Sequence, residues 1–553
     1  MKSPLSSDTT IEYKPDANMM QASYIPTDRF EELDHIDLDG VFNVLEIYCD
    51  NLLPDLEACL VFLLRILRDK EAASHPKTLE WITGLVRKAI ALGPFHKQAL
   101  DLAQRLTGDM TIDARLERMA YFDLDPQLLD FRSVMNDPAM MRRKRILLTD
   151  VLDRMSAHVI AASQLLQLEY YAGNNHPEWL ENFNPPKFFQ EEWKQRTFLH
   201  YAGLGDVERA MKLWPEIASQ PISEIQLNLA AELHAKSGDT EQALALYERS
   251  LAIDPRQKPV RLRIEELRHP SPVNASLLDK HSVTICLYSW NKADDLQKTF
   301  ESLAQTNIGP AKIRVLLNGC TDHSAEVVER ARALFPDNDF DVVTLPINVG
   351  APAARNWLGA LPEVRQSDFV AYVDDDVELP SDWLVRYLSV MNTHPDTSVV
   401  GGKVVFGSEP RMIQYLHRRF SVVYPGMIKL TDQCQIAQMD FGQYDYICET
   451  DTVMGCCHLL RIAHMPDGPN FDIRYSPSQI DDIAHDLKLR VDGGKIRYCG
   501  LVRCIHHQNT GGGFKRKMTS AQLGQVIGND MKLTAYLQQH SDRIKTLMNE
   551  AER

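Results

Sequence analysis

The stretch Phe369-Val-Ala-Tyr-Val-Asp-Asp-Asp376 joins five apolar residues to three consecutive aspartates. A short apolar run with β-branched and aromatic residues is typical of a buried strand. Adjacent carboxylates repel one another, and a divalent cation removes that repulsion through the oxygen ligands that Mg²⁺ and Mn²⁺ prefer. A solvated acidic turn is the alternative interpretation, and the motif alone does not decide between the two.

Strand-like and helix-like segments alternate around this stretch, which predicts an α/β domain with a mainly parallel sheet. Asn291 and Ser381 are the residues expected to cap two of the helices. Ligands bind beyond the carboxyl ends of parallel strands, and polar residues cluster where each predicted strand ends. The predicted strands cover 282–288, 313–317, 342–347 and 369–373, two of the helices cover 324–334 and 352–361, and the polar clusters lie at 289–291, 318–322, 348–356 and 374–376.

Residues 30–268 follow a different pattern, with apolar residues three and four positions apart, which predicts amphipathic helices. The Gly-Asp pair that starts at Gly205 recurs at Gly238, 33 residues later, and Ala210 recurs as Ala243. This period resembles the tetratricopeptide repeat, in which helical hairpins of about 34 residues stack on one another. The repeat predicts either a groove that binds a protein or a scaffold that only supports the α/β domain, and the sequence leaves both open.

The remaining boundaries follow from local composition. Residues 1–29 are polar and predict a disordered lead-in. Residues 269–280 contain two prolines and predict a linker. Residues 514–553 predict C-terminal helices that either brace the neighbouring domain or mediate dimerisation.

The composition of the whole chain excludes some function classes. Its 553 residues carry a formal net charge of −16, whereas nonspecific binding to nucleic acid needs a positive surface. No stretch resembles a membrane span or the apolar core of a secretory signal, so we expect a cytoplasmic protein without a transmembrane segment. The ten cysteines include no CxxC pair, which favours reduced thiols over a zinc site.

Six blocks in the second half of the chain resemble, in their order, the family-2 glycosyltransferases with their nucleotide-binding GT-A fold. The resemblance covers about residues 280–513 and implies a GT-A domain at 281–513. The six blocks are Trp290-Asn291, Leu317-Asn-Gly-Cys-Thr-Asp322, Asn348-Val-Gly350, Ala354-Arg-Asn356, Asp374-Asp-Asp376 and Asp481-Asp482.

The resemblance implies a role for each of these polar residues. Asp374 and Asp376 are expected to bind Mn²⁺ or Mg²⁺ together with His506, or with His507 as its alternate. Asp482, with Asp481 as the next choice, is the expected general base that takes the acceptor's proton. Two acids also suit a helix N-terminus, and a histidine here can be a hydrogen-bonded structural residue, so both alternatives stay open. The expected donor-binding residues are Ser289, Trp290, Asn291, Asn318, Asp322, Arg355, Asn356, Asp374 and Asp375.

Two further segments resemble parts of the family's site. Residues 453–460 resemble the acceptor-side segment, in which a small residue lets the backbone approach the sugar. A plain buried strand is the alternative. Residues 511–513 are three glycines that suggest a mobile loop over the donor, with a polar linker as the alternative.

The resemblance implies an inverting, metal-dependent glycosyltransferase that uses a nucleotide-diphosphate sugar. UDP-sugars are the favoured donors, but Leu317 stands where the family commonly has an aspartate that contacts the nucleotide, so the base stays open. The helical repeat region suggests a protein acceptor, such as flagellin or another bacterial surface protein. The alternatives are a polysaccharide or lipid-linked glycan acceptor, and a protein-interaction scaffold with an inactive transferase domain.

Overall fold

The computed structural model of the protein contains two compact units. One comprises Met1–Leu267 with Gln438–Gln443, and the other Arg268–Ala437 with Tyr444–Arg553. The predicted lead-in, 1–29, and the three glycines at 511–513 lie outside the described residues. The structure describes residues 31–50, 52, 55–125, 128–129, 138–220, 222–407, 411–424, 427–432, 438–507 and 519–551.

In the described residues of the first unit, the regular secondary structure is helical. This confirms the predicted all-helical N-terminal region. Its helices are α1 Leu38–Asp50, α2 Leu56–Arg68, α3 Thr78–Leu92, α4 Lys97–Thr107, α5 Met110–Met119, α6 Pro138–Arg154, α7 Val159–Tyr171, α8 Glu178–Asn182, α9 Gln190–Leu204, α10 Val207–Ala218, α11 Glu224–Lys236, α12 Thr240–Ile253 and α13 Lys258–Arg268. Among the described residues, no helix combines the length and apolar character needed to cross a bilayer.

The repeated Gly-Asp pair forms the turn between two helices in both of its copies. Gly205 ends α9 with a φ of 73°, a left-handed conformation that glycine adopts without steric cost. Asp206 then caps α10 by accepting a hydrogen bond from the Arg209 amide. Asp239 caps α12 in the same way, through the Gln242 amide. The helical hairpins are therefore present, while their assignment to the tetratricopeptide class stays a prediction.

The second unit has the predicted α/β architecture, followed by C-terminal helices. Its strands are β1 Val283–Ser289, β2 Lys312–Asn318, β3 Phe340–Leu345, β4 Phe369–Val373, β5 Val377–Glu378, β6 Thr397–Phe406, β7 Ile413–Tyr415, β8 Arg418–Tyr424, β9 Met427–Asp432, β10 Ile447–Thr450, β11 Cys457–Arg461 and β12 Lys495–His506. Its helices are α14 Leu277–Lys280, α15 Ala293–Leu303, α16 Ser324–Ala331, α17 Ala351–Gly359, α18 Pro362–Arg365, α19 Trp383–Thr393, α20 Asp481–Val491, α21 Ser520–Gln539 and α22 Ser541–Ala551.

The main sheet has the strand order β10-β12-β6-β11-β4-β1-β2-β3. Strands β3, β2, β1 and β4 are mutually parallel, as the alternating pattern predicts. Strand β11 runs antiparallel to both β4 and β6, whereas β6 and β12 beyond it are again parallel to each other, so β11 interrupts the parallel arrangement. The carboxyl ends of β1 and β4 therefore lie side by side, which brings the polar clusters after them to one edge of the sheet.

Three local predictions differ from the structure. Asn291 does not cap α15, because it adopts a left-handed φ of 53° and its side chain accepts from the Thr321 amide instead. Ser381 does not cap α19, which begins two residues later at Trp383 without a side-chain cap. The predicted linker, 269–280, ends in α14, whose Leu277 and Leu278 are buried in the core of the second unit.

The C-terminal helices α21 and α22 pack on α20, the helix that begins with the acid pair Asp481-Asp482. A separate apolar cluster joins them to α20 and to the β8–β9 hairpin. Leu533 and Leu537 of α21 and Ile483 and Leu487 of α20 all contribute buried side chains to it. Of the two roles predicted for these helices, the packing supports bracing of the α/β domain.

Candidate active site

The predicted metal ligands and general base, together with Ser289 and Trp290, come from four places in the second unit. Strand β4 ends at Val373, and the turn after it carries the three aspartates. The amide of Asp374 donates a hydrogen bond to the carbonyl of Cys456, just before β11. The other contributors are the turn after β1, the carboxyl end of β12 and the first turn of α20.

Asp374, Asp376 and His506 form a group that could hold a metal ion. One ligand atom from each of them lies within 4.8 Å of the others. His506 Nε2 lies 3.1 Å from Asp376 Oδ1, and His506 Nδ1 lies 3.1 Å from Gln414 Oε1. Carboxylate oxygens with one imidazole nitrogen suit Mn²⁺ well, so the residues present fit the divalent cation that was predicted.

His507 lies apart from this group. Its Nε2 is 2.6 Å from Glu378 Oε1, and its amide donates to the carbonyl of Asp376. Neighbouring residues at the end of a strand point to opposite faces of the sheet. That alternation directs His506 toward the two aspartates and His507 away from them.

The acidic turn is largely buried, and this changes how its groups titrate. Burial raises the pKa of Asp375 to about 6, although the Lys292 charge acts to lower it. For Asp376, burial is outweighed by the His506 and Lys292 charges, which hold the pKa of that carboxyl below its usual range. For His506, burial is outweighed by the Asp376 carboxylate, which raises the pKa to about 9.

Lys292 is a member of the site that the sequence analysis missed. Its ammonium lies 2.8 Å from Asp376 Oδ2 and 3.1 Å from Asp375 Oδ1. The residue directly follows the Trp290-Asn291 block, which was the available signal. A lysine before a predicted surface helix gives no hint in the sequence that it turns inward.

Arg355 connects the acidic turn at 374–376 with the acid pair Asp481-Asp482. It donates to Asp481 Oδ2 at 2.7 Å, to Asp374 Oδ1 at 3.2 Å and to the carbonyl of Gly455 at 3.2 Å. Its guanidinium also packs against the rings of Tyr288 and Phe471. The side chain is only 4% exposed, so it supports the site from within rather than lining an open donor pocket.

The two members of the acid pair have different surroundings. Asp481 is buried and paired with Arg355; burial raises its pKa to about 6 against the lowering effect of that arginine. Asp482 is partly exposed, and its Oδ2 accepts a hydrogen bond of 2.7 Å from the Gly455 amide. Of the two, Asp482 is therefore the carboxylate that an incoming hydroxyl group can reach.

Gly455 gives the 453–460 segment its role in this arrangement. A Cβ atom at that position would lie 2.6 Å from Asp482 Cβ and 2.9 Å from Asp482 Oδ2. The missing side chain therefore makes room for Asp482. From the sequence, a small residue was expected here to let the backbone approach a sugar.

Several predicted donor-binding residues hold loops together. Asn318 accepts from the Val349 amide and donates to Asn348, so it ties the turn after β2 to the next polar cluster. Asp322 accepts from the Ala293 amide at the start of α15. Asn356 makes two hydrogen bonds with the backbone of Phe471.

Two predicted donor-side residues lie at the end of β1. Ser289 is the last residue of that strand and is fully buried, whereas Trp290 beside it is 52% exposed. An exposed indole at the carboxyl edge of a sheet offers a flat apolar surface on which a nucleobase can stack. Trp290 is thus a predicted donor-binding residue whose side chain is accessible to a ligand.

Comparison with known proteins agrees with this geometry. Residues 283–458 match the family model of glycosyl transferase family 2. The chain is 31% identical over 128 residues to the glucosyl-dolichyl phosphate glucuronosyltransferase of Haloferax volcanii, covering 23% of this chain and 38% of that protein. It is 30% identical over 123 residues to the succinoglycan biosynthesis protein ExoM of Rhizobium meliloti, covering 22% and 37%. The chain thus spans less than half the length of these curated relatives.

Two solved structures are distant matches to this chain. A crystal structure of GalNAc-T7 with UDP, GalNAc and Mn²⁺ has a TM-score of 0.36 at 11% identity, covering 45% of this chain and 47% of that one. A structure of S. aureus TarS 1-349 with UDP-GlcNAc has a TM-score of 0.30 at 16% identity, covering 43% and 62%. The segment that matches the family model, residues 283–458, carries the predicted blocks from the end of β1 to the acidic turn.

Proposed function

We propose that the protein is a metal-dependent glycosyltransferase that moves a sugar from a nucleotide-diphosphate donor to an acceptor hydroxyl group. The observation that carries the proposal is the grouping of Asp374, Asp376 and His506, of which the two aspartates lie within the residues that match the family-2 model. Those three residues would hold Mn²⁺ or Mg²⁺, which compensates the negative charge of a diphosphate leaving group. Trp290 and the buried end of β1 would receive the nucleoside.

Asp482 is the proposed general base. It accepts the proton of the acceptor hydroxyl as that oxygen bonds to the anomeric carbon, and the bond between this carbon and the diphosphate oxygen breaks with its electron pair. A single displacement of this kind inverts the anomeric centre. Arg355 and Gly455 hold the base in place, since one pairs with its neighbour Asp481 and the other donates its amide to Asp482.

The donor base and the acceptor are the finer parts of the proposal. UDP-sugars are the first donors to test. A protein acceptor is supported by the repeated helical hairpins of the first unit. A lipid-linked or polysaccharide acceptor is supported by the names of the two curated relatives, one of which refers to glucosyl-dolichyl phosphate and the other to succinoglycan.

The test is a screen of radiolabelled nucleotide sugars with purified full-length protein, with and without Mn²⁺. We expect Mn²⁺-dependent release of one nucleoside diphosphate, and a loss of at least about 100-fold in the Asp376→Ala and Asp482→Asn variants. Label that enters the acid-insoluble protein fraction identifies a protein acceptor, and label in an organic extract identifies a lipid-linked one. If no donor turns over and no nucleotide binds with Mn²⁺, the inactive scaffold is the better description.

A further inference from the structure

We propose that Lys292 is a built-in counter-cation that competes with the divalent cation for the acidic turn, so that the protein binds metal and nucleotide diphosphate cooperatively. The inference rests on the proposed function, because it assumes that Asp376 is a metal ligand. The inference adds Lys292, which none of the predicted blocks contains. It also implies that the metal and the nucleotide diphosphate strengthen each other's binding.

Both oxygens of Asp376 already have charged or polar neighbours. Lys292 Nζ lies 2.8 Å from Oδ2, and His506 Nε2 lies 3.1 Å from Oδ1. Asp376 itself is 2% exposed, so water cannot easily replace either neighbour. A divalent cation that binds Asp376 must therefore take the place of the lysine or share a carboxylate with it.

A divalent cation and an ammonium group so close together repel each other strongly. Two unit charges about 4 Å apart near a protein surface interact by several kcal/mol, and the second charge of the metal doubles this. The Lys292 side chain is 18% exposed, so it is screened less than a surface lysine. Metal binding to the protein alone is thereby weakened.

An anionic diphosphate reverses this repulsion. Its oxygens can bind the metal and also accept from the displaced ammonium, which retains Asp375 as a neighbour at 3.1 Å. The lysine then stabilises the loaded site that it opposed while the diphosphate was absent. By linkage, the nucleotide must strengthen metal binding by the same factor as the metal strengthens nucleotide binding.

The decisive measurement is the dissociation constant of Mn²⁺ for the full-length protein, with and without UDP, followed by electron paramagnetic resonance of free Mn²⁺. We expect Lys292→Met to bind Mn²⁺ alone at least about tenfold more tightly than the wild type, and UDP to tighten its Mn²⁺ binding by a smaller factor. Lys298→Met is the matched control, because Lys298 lies on α15, the helix that directly follows Lys292, with 62% of its side chain exposed. That variant should match the wild type.

Lys292→Arg guards against an effect of misfolding, since it retains a cation at the site and should bind Mn²⁺ as weakly as the wild type. Equal or weaker Mn²⁺ binding by Lys292→Met, or tight binding by the arginine variant, overturns the inference while metal dependence stands. If none of the proteins binds Mn²⁺, even with UDP, the proposed metal site fails and the inference falls with it.

Discussion

At the scale of single residues, the site depends on side chains that hold other side chains. Arg355 is the clearest case. Its buried guanidinium contacts Asp374 of the acidic turn, Asp481 of the acid pair and the carbonyl of Gly455. A planar group with five donors can span such a set, whereas an ammonium cannot. The positions of Asp374 and Asp481 are therefore coupled through a residue that has little contact with solvent.

Gly455 offers a direct test of the proposed base. Replacing it with alanine would place a methyl group 2.6 Å from Asp482 Cβ, so the carboxylate must move. We expect Gly455→Ala to lower kcat by about 100-fold, since displacement of a reacting group by about 1 Å has an effect of this size. The KM for the donor should change little, because the added methyl group lies against Asp482 and not against the acidic turn at 374–376.

The comparison for Gly455→Ala is Gly524→Ala in α21, where a new Cβ meets nothing within 4 Å. Steady-state kinetics with the donor found in the screen measure both variants. An unchanged kcat in Gly455→Ala would exclude Asp482 as the proton acceptor.

Individual acids of the candidate site could be proposed from the sequence, but their surroundings could not. Asp374, Asp376 and His506 could be proposed because they stand in an ordered series of blocks, and the structure groups them. Lys292 was missed because its role depends on the direction in which its side chain turns. Asn291 was expected to cap a helix, but a backbone with a φ of 53° points its amide group at Thr321 instead.

At the scale of elements, helix α20 links the acid pair to the C-terminal helices. Asp481 and Asp482 form its first turn, while Ile483 and Leu487 pack in the same cluster as Leu533 and Leu537 of α21. Hydrogen bonds to Asp481 and Asp482 thus fix the start of the helix, and apolar packing fixes the rest of it. We expect a change in that packing to shift Asp482, the proposed base.

Leu537→Ala tests this connection. Leu537 is 3% exposed, and removing a leucine side chain from a packed core costs about 2–5 kcal/mol. We expect a lower free energy of unfolding, measured in urea by circular dichroism, together with a several-fold lower kcat. Leu523→Ala is the control, because Leu523 lies on the same helix with 50% of its side chain exposed. An equal loss of stability in both variants would contradict the bracing role.

Element order was predictable because apolar periodicity separates strands from helices, and the parallel arrangement of β1 to β4 follows from it. The antiparallel β11 was not predictable in the same way, since its residues 457–460 are buried on both faces and the pattern gives no strand direction. Helix starts at Ala293 and Trp383 also escaped prediction, because neither uses a side-chain cap.

At the scale of the whole molecule, each unit has its own buried polar groups and hence its own response to pH. In the helical unit, His200 is 3% exposed and its Nε2 lies 2.9 Å from the carbonyl oxygen of Asn175. Burial lowers the pKa of His200 to about 4, with the nearby Arg196 acting in the same direction. The folded protein therefore keeps this histidine neutral where the unfolded chain would protonate it.

This histidine should make the protein sensitive to acid. Its stabilising effect is complete above the unfolded pKa of about 6.5 and is lost as the pH falls toward 4. The loss is about 1.4 kcal/mol per pH unit, or about 3 kcal/mol across the window. We expect His200→Gln, which keeps a donor for Asn175, to lose less stability between pH 7 and 4.5 than the wild type. Urea unfolding of the full chain measures the difference, and parallel pH profiles would refute this role.

The position of His506 has a consequence for the order in which the protein is made. Strand β12, which ends at His506, is the last strand among the residues that the structure describes, yet it lies inside the sheet between β10 and β6. A ribosome delivers the acidic turn and Lys292 more than a hundred residues before it delivers this histidine. During that interval the lysine can balance the aspartates while the sheet still lacks an inner strand. An unfinished chain thus lacks both a complete sheet and the third residue of the candidate cation site, and one late step of synthesis supplies both.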